Sequence, residues 1–235
     1  MNAFVPTERS RVRRRPQRAA YDEATVYGIL DAGVMAHVGY AIDGQPYVTP
    51  TAYWREGRKL YWHGSAMNRM LGVVGEGVPV CVTVSFLDGF IVGRSGMVHS
   101  LNYRSVMAFG RARLVEGIEA RRDALNNFID RLYAGRPVKL RPATDEEVAA
   151  TAMVEMEIEE ASAKVRRTGV ADLPADHGWT AWSGVFPVET RIGAPLPEPG
   201  MGACGPPTPD LAPYAEGVRL DEALSAAARA SSPTS

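Results

Sequence analysis

Apolar and polar residues alternate along several short segments of the chain, and this period of two predicts β-strands. Two of the segments are joined by Asp43-Gly44, a pair typical of tight hairpins, and Glu56-Gly57 supplies the next turn. Leu87-Asp88-Gly89 is interpreted as a third turn, between two short strands. Strands are therefore predicted over residues 34–41, 46–54, 59–63, 80–86, 90–92 and 103–115.

A second spacing, with apolar residues three and four positions apart, predicts two helices. The first covers residues 21–32 and stops at Gly33, and the second covers residues 118–133. Thr144 and Glu147 have the spacing of a capping box, so a further short helix is expected to begin there.

Residues 151–167 are predicted to form one long strand whose apolar phase slips by one position near Glu159-Glu160. A single extra residue at that point would cause the slip, so a β-bulge is predicted there. The polar face of the strand also changes sign, from glutamates to Lys164 and Arg166. An anion could lie at this end of the strand, or the face could simply be solvated.

Six or more strands with turn signals between them, and few helices to cross over a sheet, indicate a protein that is mainly β with some α. The expected fold is an antiparallel split β-barrel of about six strands with peripheral helices. A doubly wound nucleotide-binding sheet is not expected, because the chain has neither a Gly-x-Gly-x-x-Gly motif after its first strand nor a P-loop.

The 235 residues divide into one folded segment and two flanking segments of biased composition. Residues 1–19 form an arginine-rich arm, interpreted as disordered; a nucleic-acid-binding arm is the alternative, but no aromatic residue interleaves its arginines. Residues 20–197 form the domain. Residues 198–235 are rich in proline and alanine and are predicted to be a flexible tail with a weak helix over 211–228.

The net charge of -1 gives the whole chain no attraction to nucleic acid or to a membrane surface. The longest apolar run, over residues 78–92, is too short to span a bilayer and contains Asp88. Two cysteines do not make a disulfide scaffold: Cys81 is expected in the core, and Cys204 is a candidate free thiol in the tail. A cytoplasmic location is expected.

The segment from Tyr61 to Arg69 is predicted to pass from a strand directly into a helix. Gly64 permits a sharp turn, and Ser65 is a suitable N-cap. The helix is expected to stop at Gly77, with Met67, Leu71 and Val74 as its apolar stripe.

An arginine near a helix N-terminus is electrostatically unusual, because the helix dipole there favours anions. Arg69 makes sense at that place if a phosphate is held by the guanidinium together with free backbone N–H groups. The alternative is a solvated surface arginine.

Other polar segments could contact a ligand. Residues 99–105 combine a guanidinium, two serine hydroxyls and an amide before a strand, and Thr49-Pro50-Thr51 offers backbone groups at an interrupted sheet edge. The histidines at 37, 63, 99 and 177 have no metal-ligand spacing, so no metal site is expected. His63, at a strand end beside the predicted anion site, could hydrogen-bond a ligand or move a proton.

Several of these segments together resemble the FMN-binding split-barrel superfamily, in the pyridoxamine 5′-phosphate oxidase-like branch that includes nitroimidazole-reductase-like proteins. The resemblance covers roughly residues 20–195. It rests on the order and spacing of YVTPTAY at 47–53, LYWHGS at 60–65 with Arg69, HSLNYRSV at 99–106 leading to FGR at 109–111, ASAKVR at 161–166 and WSGVFP at 182–187.

The resemblance implies a homodimer with FMN in a cleft between the subunits. It implies an oxidoreductase that passes electrons or hydride between a reduced nicotinamide cofactor, NAD(P)H, and a small planar or nitroaromatic substrate. His63 would contact the ring system or donate a proton. The cofactor-binding residues would be Thr49, Pro50, Thr51, Ala52, His63, Gly64, Ser65 and Arg69, with Asn102, Tyr103, Arg104, Ser105, Lys164 and Arg166 as secondary contacts.

The chain departs from true pyridoxamine phosphate oxidases in two segments. Their Arg-x-Val-Leu-Leu-Lys phosphate segment is replaced by Thr49-Pro-Thr-Ala-Tyr53, and their C-terminal Arg-x-His pattern is not found. Oxidation of vitamin B6 is therefore not expected. The alternative to an enzyme is a carrier or sensor module that binds flavin, haem or F420 without turnover.

Overall fold

The computed structural model describes residues 2–198 and 208–231. Its helices are α1 (Glu23–Asp31), α2 (Arg69–Val74), α3 (Ile118–Leu132), α4 (Asp145–Ala149) and α5 (Leu220–Ser231). Its strands are β1 (Ala19–Ala20), β2 (Met35–Ile42), β3 (Gln45–Glu56), β4 (Lys59–Ser65), β5 (Glu76–Val92), β6 (Ser100–Leu114), β7 (Thr151–Glu157), β8 (Glu160–Arg166) and β9 (Gly184–Pro187).

Six of the strands close into a ring by antiparallel pairing. The order around the ring is β6-β7-β4-β3-β2-β5, and β5 pairs with β6 to complete it. β8 and β1 extend the sheet from β6, and β9 adds to β5. This ring confirms the split barrel predicted from the alternating segments.

The barrel interior is filled by the residues that the alternation placed on one strand face. Val38, Val82 and Val106 are fully buried, and Trp62 packs into the same cluster. Their neighbours on the outer face are exposed or half-buried, so β2, β5 and β6 each have one buried face and one solvent-facing face. α1 and α2 cover the ends of this core, while α3 packs outside it against Trp54.

The bulge predicted near Glu159-Glu160 is present. β6 pairs with β7 in the register Ala112↔Met156, and with β8 in the register Phe109↔Glu160. The second register contains one residue more than the first, so the long predicted strand is divided into β7 and β8, with the extra residue in the intervening segment 158–159. Gly110 lies at this junction, and a Cβ there would overlap the carbonyl oxygen of Glu157.

Gly110→Ala is therefore expected to lower the free energy of unfolding by about 1–3 kcal/mol, because the added methyl group would also lie 2.8 Å from Met156 Cγ. Urea denaturation measures the change. The matched variant is Gly28→Ala on α1, where a Cβ meets nothing within 4 Å. It is expected to stabilise by about 0.4–1 kcal/mol. Equal effects of the two substitutions would contradict the crowding argument.

The turn predicted at residues 87–89 is wrong. β5 runs through it as one strand with a register irregularity between Leu87 and Gly89. Asp88 accepts hydrogen bonds from Arg104 on the adjacent β6, which satisfies the carboxylate within the sheet. A Cβ on Gly89 would lie 2.9 Å from the Phe186 carbonyl oxygen of β9. The glycine thus allows close approach of a neighbouring strand and does not reverse the chain.

The disorder predicted for residues 1–19 is also wrong for residues 2–19. Phe4 is buried in the barrel core, and Ala19–Ala20 pair with β8. Arg9 forms ion pairs with Glu159 and Glu160 at the start of β8. The glutamates at the bulge therefore hold in place an arm that its composition suggested would be disordered.

The predicted flexible tail divides in two. Residues 208–231 are packed: α5 lies on α1 and α3 and buries Leu224 and Ala227, within the region where a weak helix was expected. Residues 199–207, which include Cys204, and residues 232–235 lie outside the described part of the chain. Within the described part, no helix is both long and apolar enough to cross a membrane.

Candidate functional site

The barrel is split along one edge of β3. The first half of this strand pairs only with β2, from Gln45 to Ala52, whereas pairing with β4 begins at Tyr53↔Trp62. Between residues 45–52 of β3 and the end of β4, a sheet edge is therefore open among the described residues. This is the interrupted edge that the sequence predicted around Pro50.

The backbone groups on the open edge belong to the even-numbered residues of β3. Tyr53 donates its N–H to the Val34 carbonyl oxygen on the β2 side. Because successive residues of a strand point in opposite directions, Val48, Pro50 and Ala52 direct their backbone groups away from β2. Pro50 has no backbone N–H group. This edge therefore presents carbonyl oxygens at all three residues and N–H groups at Val48 and Ala52 only.

Arg69 bridges the split. Its guanidinium donates a hydrogen bond to the Tyr47 hydroxyl at 3.0 Å and lies 4.9 Å from the centre of the Tyr47 ring. Tyr47 stacks on Tyr40, whose hydroxyl is 3.2 Å from the Thr49 hydroxyl. The structure thus brings Arg69 and Thr49 together, through two tyrosines that sequence reasoning did not assign to the site. Arg69 remains solvent-exposed, and no carboxylate of the described residues pairs with it.

The helix that carries Arg69 begins later than predicted. Ser65 belongs to β4, and its hydroxyl accepts a hydrogen bond from the Met67 N–H outside the helix. Asn68 is the N-cap, and its side chain accepts from the N–H groups of Met70 and Leu71. The predicted stripe loses Met67, which is exposed, and gains Met70. The capped N–H groups no longer support the predicted phosphate cradle, so Arg69 is left as the basis for an anion there.

His63 lies on the outer face of β4, beyond the pairing with β3. Its ring packs edge-on against Phe128 of α3, with centroids 4.7 Å apart, and against Trp54 at 6.2 Å. Nδ1 is buried and has no hydrogen-bond partner. Burial lowers the pKa of His63, so its imidazole is neutral near pH 7. Gly64 follows, close to Leu71.

This burial predicts a pH dependence of stability. With a lowered pKa in the folded state, the unfolded chain binds more protons as the pH falls below the ordinary value of 6.5, and the free energy of unfolding decreases. The contribution is intact above that value and is lost toward the folded-state pKa. His63→Gln should therefore show a smaller decrease between about pH 7.5 and pH 5.5 in urea denaturation. Exposed His177→Gln should retain the wild-type decrease, and identical profiles for all three proteins would contradict the assignment.

The remaining predicted contacts lie elsewhere on the barrel. β6 is three strands from β3 in either direction around the ring, so the two groups of residues are on opposite sides. The second group comprises Asn102, Tyr103, Arg104 and Ser105 on β6 with Lys164 and Arg166 on β8. Within one chain the structure does not bring this group to the split.

The members of this second group differ in whether their side chains already have hydrogen-bond or ion-pair partners. Arg104 points inward and is paired with Asp88 and Asp221. Asn102 exchanges two hydrogen bonds with the backbone of Thr168, which closes the loop after β8. Ser105 lies opposite Lys164 across the β6–β8 pairing, and neither forms a side-chain hydrogen bond among the described residues. These two remain available to a ligand, whereas Arg104 is committed to the fold.

The outer face of the strands between the two groups is apolar. Met35 on β2, Val48 on β3 and Met107 on β6 are 44–66% exposed, and Leu87 on β5 and Leu101 on β6 are 40–44% exposed. His37 lies among them, opposite Pro50 on β3 and Thr83 on β5. An exposed apolar face of this kind, rimmed by polar groups, is typical of an interaction surface.

Sequence reasoning missed the aromatic residues beside Arg69 and His63. Tyr47 was part of a quoted motif, and Trp54 and Phe128 stood out only as apolar residues of a strand and a helix. Their convergence depends on α3 folding back across β3 and β4, for which the sequence offers no local signal. A cavity of about 430 Å³ lined by Asp31, Arg55 and Arg131 lies at the other end of β3 from Thr49.

Comparison with known proteins gives a consistent picture. Residues 22–165 match the family model described as pyridoxamine 5′-phosphate oxidase. A search of curated proteins finds no match.

Three solved structures are similar to this chain. The flavocytochrome Anf3 from Azotobacter vinelandii is 39% identical with a TM-score of 0.83, over 91% of this chain and 100% of its own. An FAD- and haem-binding protein from Mycobacterium smegmatis is 32% identical with a TM-score of 0.80, over 86% and 98%. A putative 5-nitroimidazole antibiotic resistance protein from Bacteroides thetaiotaomicron is 24% identical with a TM-score of 0.51, over 63% and 86%, and shows the fold alone.

Proposed function

The chain belongs to the pyridoxamine 5′-phosphate oxidase family, and from that membership we propose that it is an oxidoreductase that binds a flavin and haem. The observation that carries this proposal is the similarity to two proteins named for both cofactors, each matched over 98–100% of its own length. These matches cover 86–91% of this chain, so they extend beyond the family segment into the arm or the C-terminal elements. The proposed activity is redox chemistry and not the oxidation of vitamin B6.

The open edge of β3 fits a flavin. The pyrimidine side of an isoalloxazine carries alternating carbonyl and N–H groups, which match the backbone groups that Val48, Pro50 and Ala52 direct into the split. Arg69 supplies an exposed cation beside Thr49 for the phosphate. Bound there, the flavin would supply hydride or single-electron transfer. The resemblance predicts FMN, whereas the similar mycobacterial protein is named for FAD, so the identity of the nucleotide is part of the test.

His63 fits haem iron. Iron in haem proteins is commonly held by a neutral imidazole. His63 is neutral because of burial, has an unpartnered buried nitrogen, and lies beside the rings of Phe128 and the buried Trp54. We propose His63 as a haem ligand in place of the flavin proton donor that the sequence suggested. The residue would hold the group, and the aromatic rings would exclude water from it.

A homodimer would complete the flavin site. The exposed apolar face of Met35, Val48 and Met107 lies between the split and the group on β6 and β8. Two copies packed on this face could place Ser105 and Lys164 of one beside the split of the other. Sedimentation equilibrium should therefore give twice the mass of the chain, and Met107→Asp should shift the equilibrium toward monomer. A monomeric wild type would remove the dimer from the proposal.

The test of the cofactors is reconstitution of the purified protein with FMN, FAD and hemin in separate reactions, followed by removal of excess ligand and absorbance spectroscopy. We expect flavin bands with one of the nucleotides and a Soret band with hemin. His63→Ala should lose the Soret band and retain the flavin bands. Retention of the Soret band would overturn the ligand assignment, and a featureless visible spectrum in all reactions would overturn the proposed function.

The electron donor is a further part of the proposal. We expect NADH or NADPH to bleach the bound flavin under anaerobic conditions, with a small planar or nitroaromatic compound restoring its colour. A flavin that binds but is not reduced by either donor would favour the carrier or sensor alternative.

A further inference from the structure

Arginines that are about 150 residues apart in the sequence meet at the edge of the sheet. Arg15 caps and Arg18 ends the one-turn 3₁₀ helix of the N-terminal arm that contacts β8, the strand on which Arg166 lies. Lys164 lies across from Ala19, the residue after Arg18. None of these four residues forms an ion pair with a carboxylate among the described residues. We call them the arm cluster.

Partly buried arginines elsewhere in the molecule have acidic partners. The partly buried arginines 55, 94, 104, 131 and 136 each pair with an aspartate. The chain has 27 acidic residues against 26 basic ones, so carboxylates are not scarce. Single exposed arginines such as Arg69, Arg113 and Arg229 also lack an acidic partner among the described residues, so the arm cluster is distinguished by four cations that share one sheet edge without any ion pair.

The arm cluster is held in a fixed geometry. Pro16–Arg18 form one turn of 3₁₀ helix, closed by the Arg18 N–H donating to the Arg15 carbonyl oxygen at 3.0 Å. This turn contacts β8, and β1 follows it in antiparallel pairing with Ala163 and Lys164. Like charges are thus brought together by backbone pairing, and much of the cost of ordering an anion site is met by folding.

Hydroxyl groups accompany the guanidinium of Arg166. It donates to the Ser100 hydroxyl and, at 3.3 Å, to the Thr168 hydroxyl, and Tyr103 lies opposite it on β6. Burial lowers the pKa of Arg166, and the charges of Arg18 and Arg15 lower it further. A bound polyanion would remove this repulsion and accept hydrogen bonds from the three guanidinium groups.

We propose that the arm cluster binds the diphosphate group of a dinucleotide cofactor, an extension that rests on the proposed redox function. Three guanidinium groups in one compact place match two adjacent phosphates, because planar guanidinium groups bind phosphate oxygens in pairs. A nucleic acid would be expected to need a longer basic track and stacking aromatic residues, and residues 9–18 contain no aromatic residue. The diphosphate could come from flavin adenine dinucleotide or from a nicotinamide dinucleotide.

The test uses the full chain and two simple probes, inorganic diphosphate and ADP, measured by titration calorimetry. The variant Arg18→Gln/Arg166→Gln should weaken binding of both probes by at least about tenfold. The matched control is Arg113→Gln/Arg229→Gln, which removes the same charge from arginines without acidic partners on other surfaces and should bind as the wild type does. Circular dichroism checks that both variants are folded.

The cofactors themselves identify the source of the diphosphate. If the cluster variant has a lower FAD-to-FMN affinity ratio than the wild type, a flavin dinucleotide is supported. If that ratio is unchanged and the variant binds NADH and NADPH more weakly, a nicotinamide dinucleotide is supported. Failure of the wild type to bind either probe would overturn the arm cluster proposal, as would equal binding by the cluster variant. If the wild type binds neither probe but still shows flavin bands after reconstitution, only the arm cluster proposal is overturned and the proposed function is retained.

Discussion

Arg104→Met is expected to lower the free energy of unfolding by about 2–4 kcal/mol and to leave the flavin affinity of the folded protein unchanged. The arginine holds together three elements: Asp88 on β5, β6 itself and Asp221 at the start of α5. Its side chain is 13% exposed, and those of the two aspartates are 18% and 14% exposed. The range is set below that of a fully buried pair because water still reaches all three groups.

The size of the effect comes from the charges left behind. Methionine keeps most of the packing volume but leaves two partly buried carboxylates facing each other without a cation between them. Burial alone would raise the pKa of Asp221, and it is the hydrogen bonds from Arg219 and Arg104 that bring it down to about 2. The stabilisation from this aspartate is present above its ordinary pKa of 3.8 and is lost as the pH falls toward about 2.

Urea denaturation at neutral pH measures the loss. Arg191→Met is the matched control, because Arg191 pairs with Glu189 while 56% exposed and should change stability by less than about 0.5 kcal/mol. Equal stability of the two variants would contradict the role of Arg104. A loss of flavin binding without a loss of stability would instead return Arg104 to the list of cofactor contacts that the sequence suggested.

Arg69→Ala should have the opposite profile, with flavin affinity reduced about tenfold to a hundredfold, or about 1.5–3 kcal/mol, and stability nearly unchanged. The guanidinium is exposed and its only side-chain partner among the described residues is Tyr47, so little of the fold depends on it. A charge-assisted contact to the flavin phosphate would be lost with it. Fluorescence titration with FMN and FAD measures the affinities.

Tyr47→Phe is the informative companion to this variant. It removes the hydroxyl that orients Arg69 but keeps the ring beneath the guanidinium, so an intermediate loss of affinity is expected. Arg113→Ala, an exposed arginine of β6, controls for the loss of one positive charge. If Arg69→Ala binds the flavin as tightly as the wild type, Arg69 is excluded from the cofactor site. The open edge of β3 would then be the main evidence for a flavin site.

The barrel was predictable because its information is local. The alternation in β2 and β3, the Asp43-Gly44 turn and the phase slip at Glu159-Glu160 each encode a strand, a hairpin or a bulge within a few residues. The errors arose where a residue's partner is distant in sequence. Asp88 looked like part of a turn because its arginine is 16 residues away, and the arm looked disordered because Thr7 pairs with Glu160 at a separation of 153.

The candidate site was predictable for the same reason only in part. Thr49–Ala52, His63 and Arg69 could be proposed from the sequence because they lie on one strand–turn–helix path, and their roles stay predictions. The aromatic wall of Trp54 and Phe128 was missed because α3 reaches it through tertiary packing. The partners of Arg104 were not predicted, because a sequence does not show whether a guanidinium already has partners, and here Asp221 is 117 residues away.

The pairing of the arm with β8 has a consequence for synthesis of the chain on the ribosome. Thr7 and its partner Glu160 are separated by 153 residues, so at about 5–20 residues per second the arm emerges roughly 8–30 s before β8 exists. During that interval Phe4 has no core to enter, and the arginines of the arm face the nascent chain and the polyanionic ribosome surface. The arm is thus made long before it finds its place, and closure of the sheet edge can occur only after β8 has been translated.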